Sequence, residues 1–93
     1  MAHTFDDLVN MQRTADEQHA RVRQLQDEYG APAQQEWTAE QTQAWNDAWT
    51  SWRDAADAVQ AAVTEHAQEQ GAARHQVEAD VKKAARHPEP DGA

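Results

Sequence analysis

Apolar residues recur three and four positions apart over two long stretches of the chain, and this spacing is typical of amphipathic helices. The first stretch predicts a helix over residues 4–29, with Thr4 as its N-cap and Gly30 as its stop. The second predicts a helix over residues 38–70, opened by Thr38 in an S/T-x-x-E/Q capping box. The stripe of the first helix is apolar except for Gln18 and consists of Leu8, Met11, Ala15, Gln18, Val22, Leu25 and Tyr29.

The second helix holds the largest apolar side chains. Trp45, Trp49 and Trp52 are spaced i, i+4, i+7 and therefore share one helical face. A short connector makes the two helices antiparallel, and the expected register sets Trp52 against the small Ala15. Large side chains opposite small ones are what a packed seam needs. We therefore expect these three indoles to form the core of the hairpin.

A third helical stretch is predicted over residues 72–87, with Val77 and Val81 on one face. Its relation to the second helix depends on Gly71. If Gly71 ends the second helix, the third folds back on the hairpin. A glycine inside a helix costs only about 1 kcal/mol, however, so a single helix that continues to about residue 87 is the alternative.

These elements predict an all-α fold, namely a long antiparallel helical hairpin with a shorter third C-terminal helix. The chain of 93 residues corresponds to one domain, which we place at residues 1–87, followed by a disordered tail over residues 88–93. Leu, Val and Phe number only nine and Ile is absent, so the four tryptophans supply much of the apolar surface available for burial.

The net charge of −9 is distributed unevenly along the chain. Residues 1–71 hold thirteen acidic residues against four arginines, whereas residues 72–87 hold four basic residues against two acidic ones. The acidic surface argues against direct binding to nucleic acid or to anionic membranes. The N-terminus lacks a leader pattern and no apolar run could cross a bilayer, so we expect a cytoplasmic protein.

Residues that could carry out catalysis or bind a metal are sparse. There is no cysteine, and Ser51 is the only serine, without a glycine-rich elbow around it. His66, His75 and Glu78 form the best metal candidate, but only His75 and Glu78 have the i, i+3 spacing of helical metal ligands, and a single pair lacks the rest of a site. The sequence therefore predicts no enzyme and no cofactor, metal or small-molecule ligand.

The remaining features predict a noncatalytic module that self-associates as a homodimer or binds another protein. Trp37 precedes the second helix, where it can fold over the end of the hairpin and stay partly exposed, and a row of alanines would allow a helix to approach closely. The predicted interaction surface consists of Trp37, Ala48, Ala55, Ala62, Val77, Val81, Lys82, Lys83 and Arg86. The alternative is an acidic regulator of a nucleic-acid-binding protein, in which the acidic face fills a basic cleft or residues 72–87 touch phosphate.

Three segments resemble small uncharacterised helical proteins of actinobacteria: MAHTFDDLVNMQ, WTAEQTQAWNDAWTSWRDAADAVQAAVTEH and VKKAARHPEP. The resemblance implies a cytoplasmic helical protein and assigns no activity or site residue. The size and the hairpin are also similar to the WXG100 family. Trp37 is followed by Thr38 and Ala39 instead of the Trp-x-Gly turn, and Tyr29 is the only tyrosine, so the tail motif of that family is missing. We therefore reject that assignment.

Overall fold

The computed structural model describes residues 3–31 and 36–86, and these residues form three helices. Each helix begins within two residues of its predicted start, and the predicted all-α fold of a long hairpin with a shorter third helix is confirmed. The predicted disordered tail, like His87, lies outside the described residues. The helices are α1 (Phe5–Tyr29), α2 (Ala39–Gln70) and α3 (Arg74–Arg86).

Both long helices begin with a reciprocal capping box. The Thr4 hydroxyl accepts a hydrogen bond from the Asp7 backbone N–H at 3.1 Å, and the Thr4 backbone N–H donates to the Asp7 carboxylate at 3.0 Å. This second bond lowers the pKa of Asp7 below its ordinary value. Thr38 and Gln41 exchange the same two bonds at the start of α2, at 3.0 and 2.9 Å. Each box thus satisfies backbone N–H groups that a helix start leaves unpaired.

Gly71 ends α2 and directs the chain back along the hairpin. Its backbone is left-handed, with φ 64° and ψ 30°. The Ala72 N–H donates to the Ala67 carbonyl at 2.9 Å, and the Gly71 N–H donates to the Gln68 carbonyl at 3.3 Å. These two bonds are those of a Schellman motif, which closes a helix C-terminus. The alternative of one helix continuing to about residue 87 is therefore wrong.

The two long helices run antiparallel, as contacts at both ends of the hairpin show. At the end opposite the connector, the His66 Nδ1 atom lies 3.0 Å from the His3 carbonyl oxygen. At the connector end, the Trp37 indole N–H donates to the Gly30 carbonyl at 3.1 Å. None of the three described helices combines the length and the apolar character that crossing a bilayer requires.

The core consists of two clusters along the hairpin. The cluster beneath α3 joins all three helices and includes Leu8, Ala15, Val59, Ala62, Val63, Ala67, Val77 and Val81. The cluster nearer the connector joins only α1 and α2 and includes Val22, Leu25 and Ala48. The hairpin is therefore a three-helix structure over one half of its length and a two-helix structure over the other.

Candidate interaction surface

The two-helix half of the hairpin carries all four tryptophans at the edge of its apolar seam. We call residues 18–31 and 36–53 the connector half, and Trp37, Trp45, Trp49 and Trp52 the aromatic row. Every indole of the row is partly buried, and those of α2 pack against the small cluster beneath them. The prediction that Trp45, Trp49 and Trp52 form the hairpin core is therefore confirmed only in part, because the three indoles pack against the core cluster but are not fully buried. Helix axes lie only 8–10 Å apart, and the valine, leucine and alanine that fill this seam leave the bulkier indoles at its edge.

The rings of the aromatic row contact one another in a continuous series. Neighbouring ring centroids are 5.4, 6.0, 6.3 and 6.3 Å apart along the series Tyr29, Trp37, Trp45, Trp49 and Trp52. The series ends on α1, where the His19 imidazole lies 4.7 Å from the Trp52 ring. Aromatic contacts in this distance range are attractive beyond the area they bury. The row is thus held in one arrangement before anything binds to it.

The contact of Trp52 differs from the predicted register. Its indole packs on His19, one helical turn closer to the connector than the Ala15 expected opposite it. Trp45 shows that placing an indole along this seam can leave a polar atom without a partner. Its Nε1 atom is buried, with no hydrogen-bond partner among the described residues. An unsatisfied buried donor costs about 1–3 kcal/mol, so the row is less favourable than an aliphatic seam would be.

The end of α3 lies beside Trp52, the last ring of the row. The Arg86 guanidinium donates two hydrogen bonds to the Asp16 carboxylate, at 3.1 and 3.0 Å. The buried Gln12 amide donates to the same carboxylate at 2.9 Å and orients it. The bonds from Arg86, then that from Gln12, lower the pKa of Asp16, and the carboxylate in turn raises the pKa of Arg86. A cavity of about 240 Å³ beside this pair is lined by residues of all three helices, including His19 and Trp52.

Beyond Arg86, no residue of the described part of α3 lies on the hairpin. A groove of about 770 Å³ runs from this side chain along α1 and is lined by Ala20, Arg23 and Asp27 among others. No residue of α3 belongs to the apolar cluster of the connector half. Over the described residues, α3 therefore covers the hairpin only as far as Trp52, the ring of the aromatic row nearest Arg86.

Charge is nearly balanced in the connector half, in contrast to the rest of the hairpin. The connector half holds five carboxylates and three arginines, whereas residues 3–17 and 54–71 hold eight carboxylates and one arginine. One of the three arginines, Arg53, places its guanidinium carbon 5.3 Å from the centre of the Trp49 ring, within the range of a cation–π contact. The strongly acidic surface thus lies away from the aromatic row.

Most of the surface predicted from sequence is used inside the chain. Ala48 and Ala62 of the alanine row are buried against the neighbouring helices, and Ala55 packs at the edge of the larger cluster. Val77 and Val81 are buried by α1 and α2, with exposed fractions of 8% and 0%. The turn at Gly71 explains the burial of Val77 and Val81, because it returns α3 onto the hairpin, whereas Ala48 is buried in the cluster that joins only α1 and α2.

The basic side chains of α3 are largely engaged in a polar network with α2. The Arg74 guanidinium donates to the Thr64 hydroxyl at 2.8 Å, to the Gln60 amide oxygen and to the Glu78 carboxylate. Glu78 also accepts hydrogen bonds from Lys82 at 3.0 Å and from Gln60 at 3.1 Å, and these lower the pKa of Glu78. The segment therefore neutralises its charges mainly within its own chain.

Lys83 remains on the outer side of α3. It lines a groove of about 540 Å³ between α1 and α3 together with Phe5, Arg13 and Asp80. Of the nine residues predicted as an interaction surface, Trp37 and Lys83 are thus the two whose side chains are neither in an apolar cluster nor in an ion pair among the described residues. They lie at opposite ends of the hairpin, and the structure does not bring them together.

The metal candidate also separates. His66 approaches the His3 carbonyl, whereas Glu78 is held by Arg74 and Lys82 on α3. Across the described parts of the chain, no three His, Asp or Glu side chains converge in an arrangement that could hold a metal ion.

Comparisons with protein-family models, with curated proteins and with solved structures found no match to this chain. The resemblance to actinobacterial helical proteins remains a prediction from the sequence. The physical features left to act on a partner are the rigid aromatic row, the arginines beside it and the open groove past Arg86. These groups can bind by burial, stacking and ion pairing.

Proposed function

We propose that this protein is a noncatalytic protein–protein interaction module that binds its partner through the connector half. The observation that carries the proposal is the end of α3 at Arg86, beyond which the aromatic row lies on a two-helix surface. Tryptophan, tyrosine and arginine are the side chains that contribute most to protein binding energy. This face presents four tryptophans and a tyrosine in contact, with Arg53 on one of the rings.

The fixed geometry of the row favours binding. Each ring is held by a neighbouring ring on the same face, and Trp37 is also held by its hydrogen bond to Gly30. A side chain that is already ordered loses less conformational entropy when a partner covers it. The three centroid distances between Trp37 and Trp52 limit the row to about 19 Å, which is long enough for a partner helix of about three turns.

An acidic regulator of a nucleic-acid-binding protein is the second candidate, supported by the outer face of α2. Its exposed carboxylates are Asp47, Asp54, Asp57, Glu65 and Glu69. Such a regulator should retain a nucleic-acid-binding protein at about 50 mM salt and release it at about 500 mM. Replacing Asp54 and Asp57 by asparagine should weaken that retention, and equal retention would exclude this face. The other form of this hypothesis, in which residues 72–87 touch phosphate, has less support, because Arg86 and Lys82 already pair with carboxylates.

Site-specific photocrosslinking tests the main proposal with two exposed alanines as a matched pair. Ala20 lines the open groove past Arg86, whereas Ala61 is exposed on α2 within the three-helix half. p-Benzoylphenylalanine is introduced at one position or the other, and the full chain is irradiated in the cells that produce it. Adducts are expected from position 20, and few or none from position 61.

A second substitution ties the adducts to the aromatic row. Trp49→Ala in the position-20 protein should reduce adduct formation severalfold, because it removes the ring at the centre of the row. Circular dichroism of the same protein checks that its helices are retained. Equal adduct formation from both positions, or none from either, would contradict the proposed face.

A further inference from the structure

We infer that the partner of the connector half is a second copy of this chain, paired face to face about a two-fold axis. The inference deepens the proposed function and rests on it. In the pair, the aromatic row of one protomer lies on that of the other, and the two connector halves form a four-helix bundle. The three-helix halves then extend away from each other at opposite ends.

The first argument is the incomplete packing of the connector half. Where α3 is present, valines from three helices are buried to 8% exposure or less, as Val59, Val63 and Val81 illustrate. Past Arg86 only two helices remain, and Trp45, Trp49 and Trp52 stay partly exposed over their seam. Two such faces together supply the four helices of a bundle, and each would cover the indoles of the other.

The second argument is the distribution of charge. A two-fold interface brings the same patch together with itself, so a patch of one sign repels its copy, whereas a patch of both signs can pair. The exposed Arg53 lies on the Trp49 ring, and the exposed Arg23, Asp27 and Glu28 line the groove that meets the row at His19. The connector half holds five carboxylates and three arginines, so its net charge is small. Most of the net charge of the hairpin lies in the other half, which this arrangement keeps apart.

The charge distribution also disfavours other occupants. A strongly basic helix would meet Arg53 on the row and Arg23 in the groove past Arg86. A strongly acidic partner would be repelled by the three-helix half, which keeps a net charge of −5 once the four basic and two acidic residues of α3 are added to the eight carboxylates and one arginine of residues 3–17 and 54–71. A second copy satisfies both conditions when the two long axes are antiparallel about the two-fold axis.

The size of the face sets the expected strength. A contact about 19 Å long and two helices wide, roughly 18 Å, covers about 340 Å² in projection. Stable complexes bury about 800 Å² of accessible surface per partner, so the contact is smaller than that class and corresponds to a weak, transient interface. We expect a reversible dimer with a dissociation constant in the micromolar range.

Sedimentation equilibrium of the full chain tests the inference between about 1 µM and 1 mM, in about 150 mM salt. The average mass should rise with concentration from 10.4 kDa towards twice that value and stop there. Raising the salt to about 500 mM should weaken the dimer, because the charge pairs across the two-fold axis are screened while the acidic halves already lie far apart. A mass that stays at that of the monomer up to 1 mM, or one that exceeds the dimer, would overturn the inference.

Two charge reversals on α1 form a matched pair for the same measurement. Arg23→Glu and Arg13→Glu change the net charge equally, but Arg23 lies beside the open groove and Arg13 lies on the α1–α3 side. Arg23→Glu should raise the dissociation constant at least tenfold, and Arg13→Glu less than twofold. Equal effects would place the contact elsewhere. Both residues are exposed, so neither substitution threatens the fold.

The crosslinking experiment separates failure of this inference from failure of the proposed function. Adducts of twice the chain mass from position 20 support the dimer. Adducts of another mass from that position, together with a monomer in sedimentation, keep the interaction module and remove the dimer. If neither adducts nor a dimer form, both proposals are overturned.

Discussion

The imidazole of His19 lies against the indole of Trp52, with ring centroids 4.7 Å apart and ring planes inclined by 35°. This contact joins α1 to α2 at the point where α3 ends, because both rings line the cavity that they share with Arg86. On one side of it the hairpin is packed by three helices, and on the other the aromatic row begins. The pair therefore marks the boundary between the closed half and the proposed interaction surface.

The first prediction is that these two rings stabilise each other. Trp52→Ala should lower the free energy of unfolding by about 2 kcal/mol, less than the cost of deleting a fully buried indole, because Trp52 is partly buried. A double-mutant cycle with His19→Ala should give a coupling of about 0.5–1 kcal/mol in urea unfolding. The matched cycle of Trp52→Ala with Ala20→Gly should show none. A coupling within error of zero for the His19 cycle would show that the ring contact is not stabilising.

The second prediction concerns the turn that returns α3 to the hairpin. Gly71 has φ 64°, and a Cβ atom placed there would meet nothing within 4 Å. The cost of Gly71→Ala is therefore backbone strain alone, about 1 kcal/mol in thermal or urea unfolding. Gly71→Asn should cost less, because asparagine tolerates the left-handed region better than alanine does. Equal losses for the two variants would contradict an origin in backbone strain.

The fold could be predicted from sequence because its signals are local. Thr4 and Thr38 are each followed at the third position by a side chain that completes a capping box, and both boxes form. The apolar spacing in between fixes the length of each helix. Gly71 was ambiguous, since one glycine is compatible with either a helix interior or a helix end. What decides between them is long-range packing, in which α3 buries Val77 and Val81 on the hairpin.

The interaction surface was less predictable because it depends on which side of the hairpin α3 covers. Val9 and Gln12 lie off the predicted stripe of α1, yet both are buried, with exposed fractions of 7% and 6%. A glutamine carries no sequence signal for burial. The position of α3 then determines that Val77 and Val81 are covered, whereas Trp49 stays partly exposed. Spacing places residues on a helical face but does not show which face a third helix covers.

The third prediction is that α3 is held mainly by its two valines. Val81 is fully buried, so Val81→Ala should cost about 2 kcal/mol and should speed amide exchange within α3 before the exchange of α1 and α2 changes. Val77 is slightly more exposed, at 8%, and Val77→Ala should cost less. Asp80→Ala, on the exposed side of the same helix, is the control and should have little effect. Simultaneous faster exchange in all three helices would show that α3 does not open separately.

The last prediction is a pH-dependent contribution from Asp16 and Arg86. Hydrogen bonds from Arg86 hold the pKa of Asp16 below its ordinary value of 3.8, so folding favours the ionised carboxylate. The stabilisation is therefore fully present above that ordinary value and is lost as the pH falls through the lower folded pKa. The side chain of Arg86 is 53% exposed and that of Asp16 is 32% exposed, so solvent screening limits the pair to about 0.5 kcal/mol. Asp16→Asn should lower the free energy of unfolding by about this amount at pH 7, and the difference from wild type should shrink towards zero as the pH falls through the lowered pKa of Asp16. Asp57→Asn, at an exposed position of α2, is the control and should not reproduce this pH dependence. A difference that stays constant from pH 7 to pH 2 in urea unfolding would show that the effect of Asp16→Asn is not electrostatic.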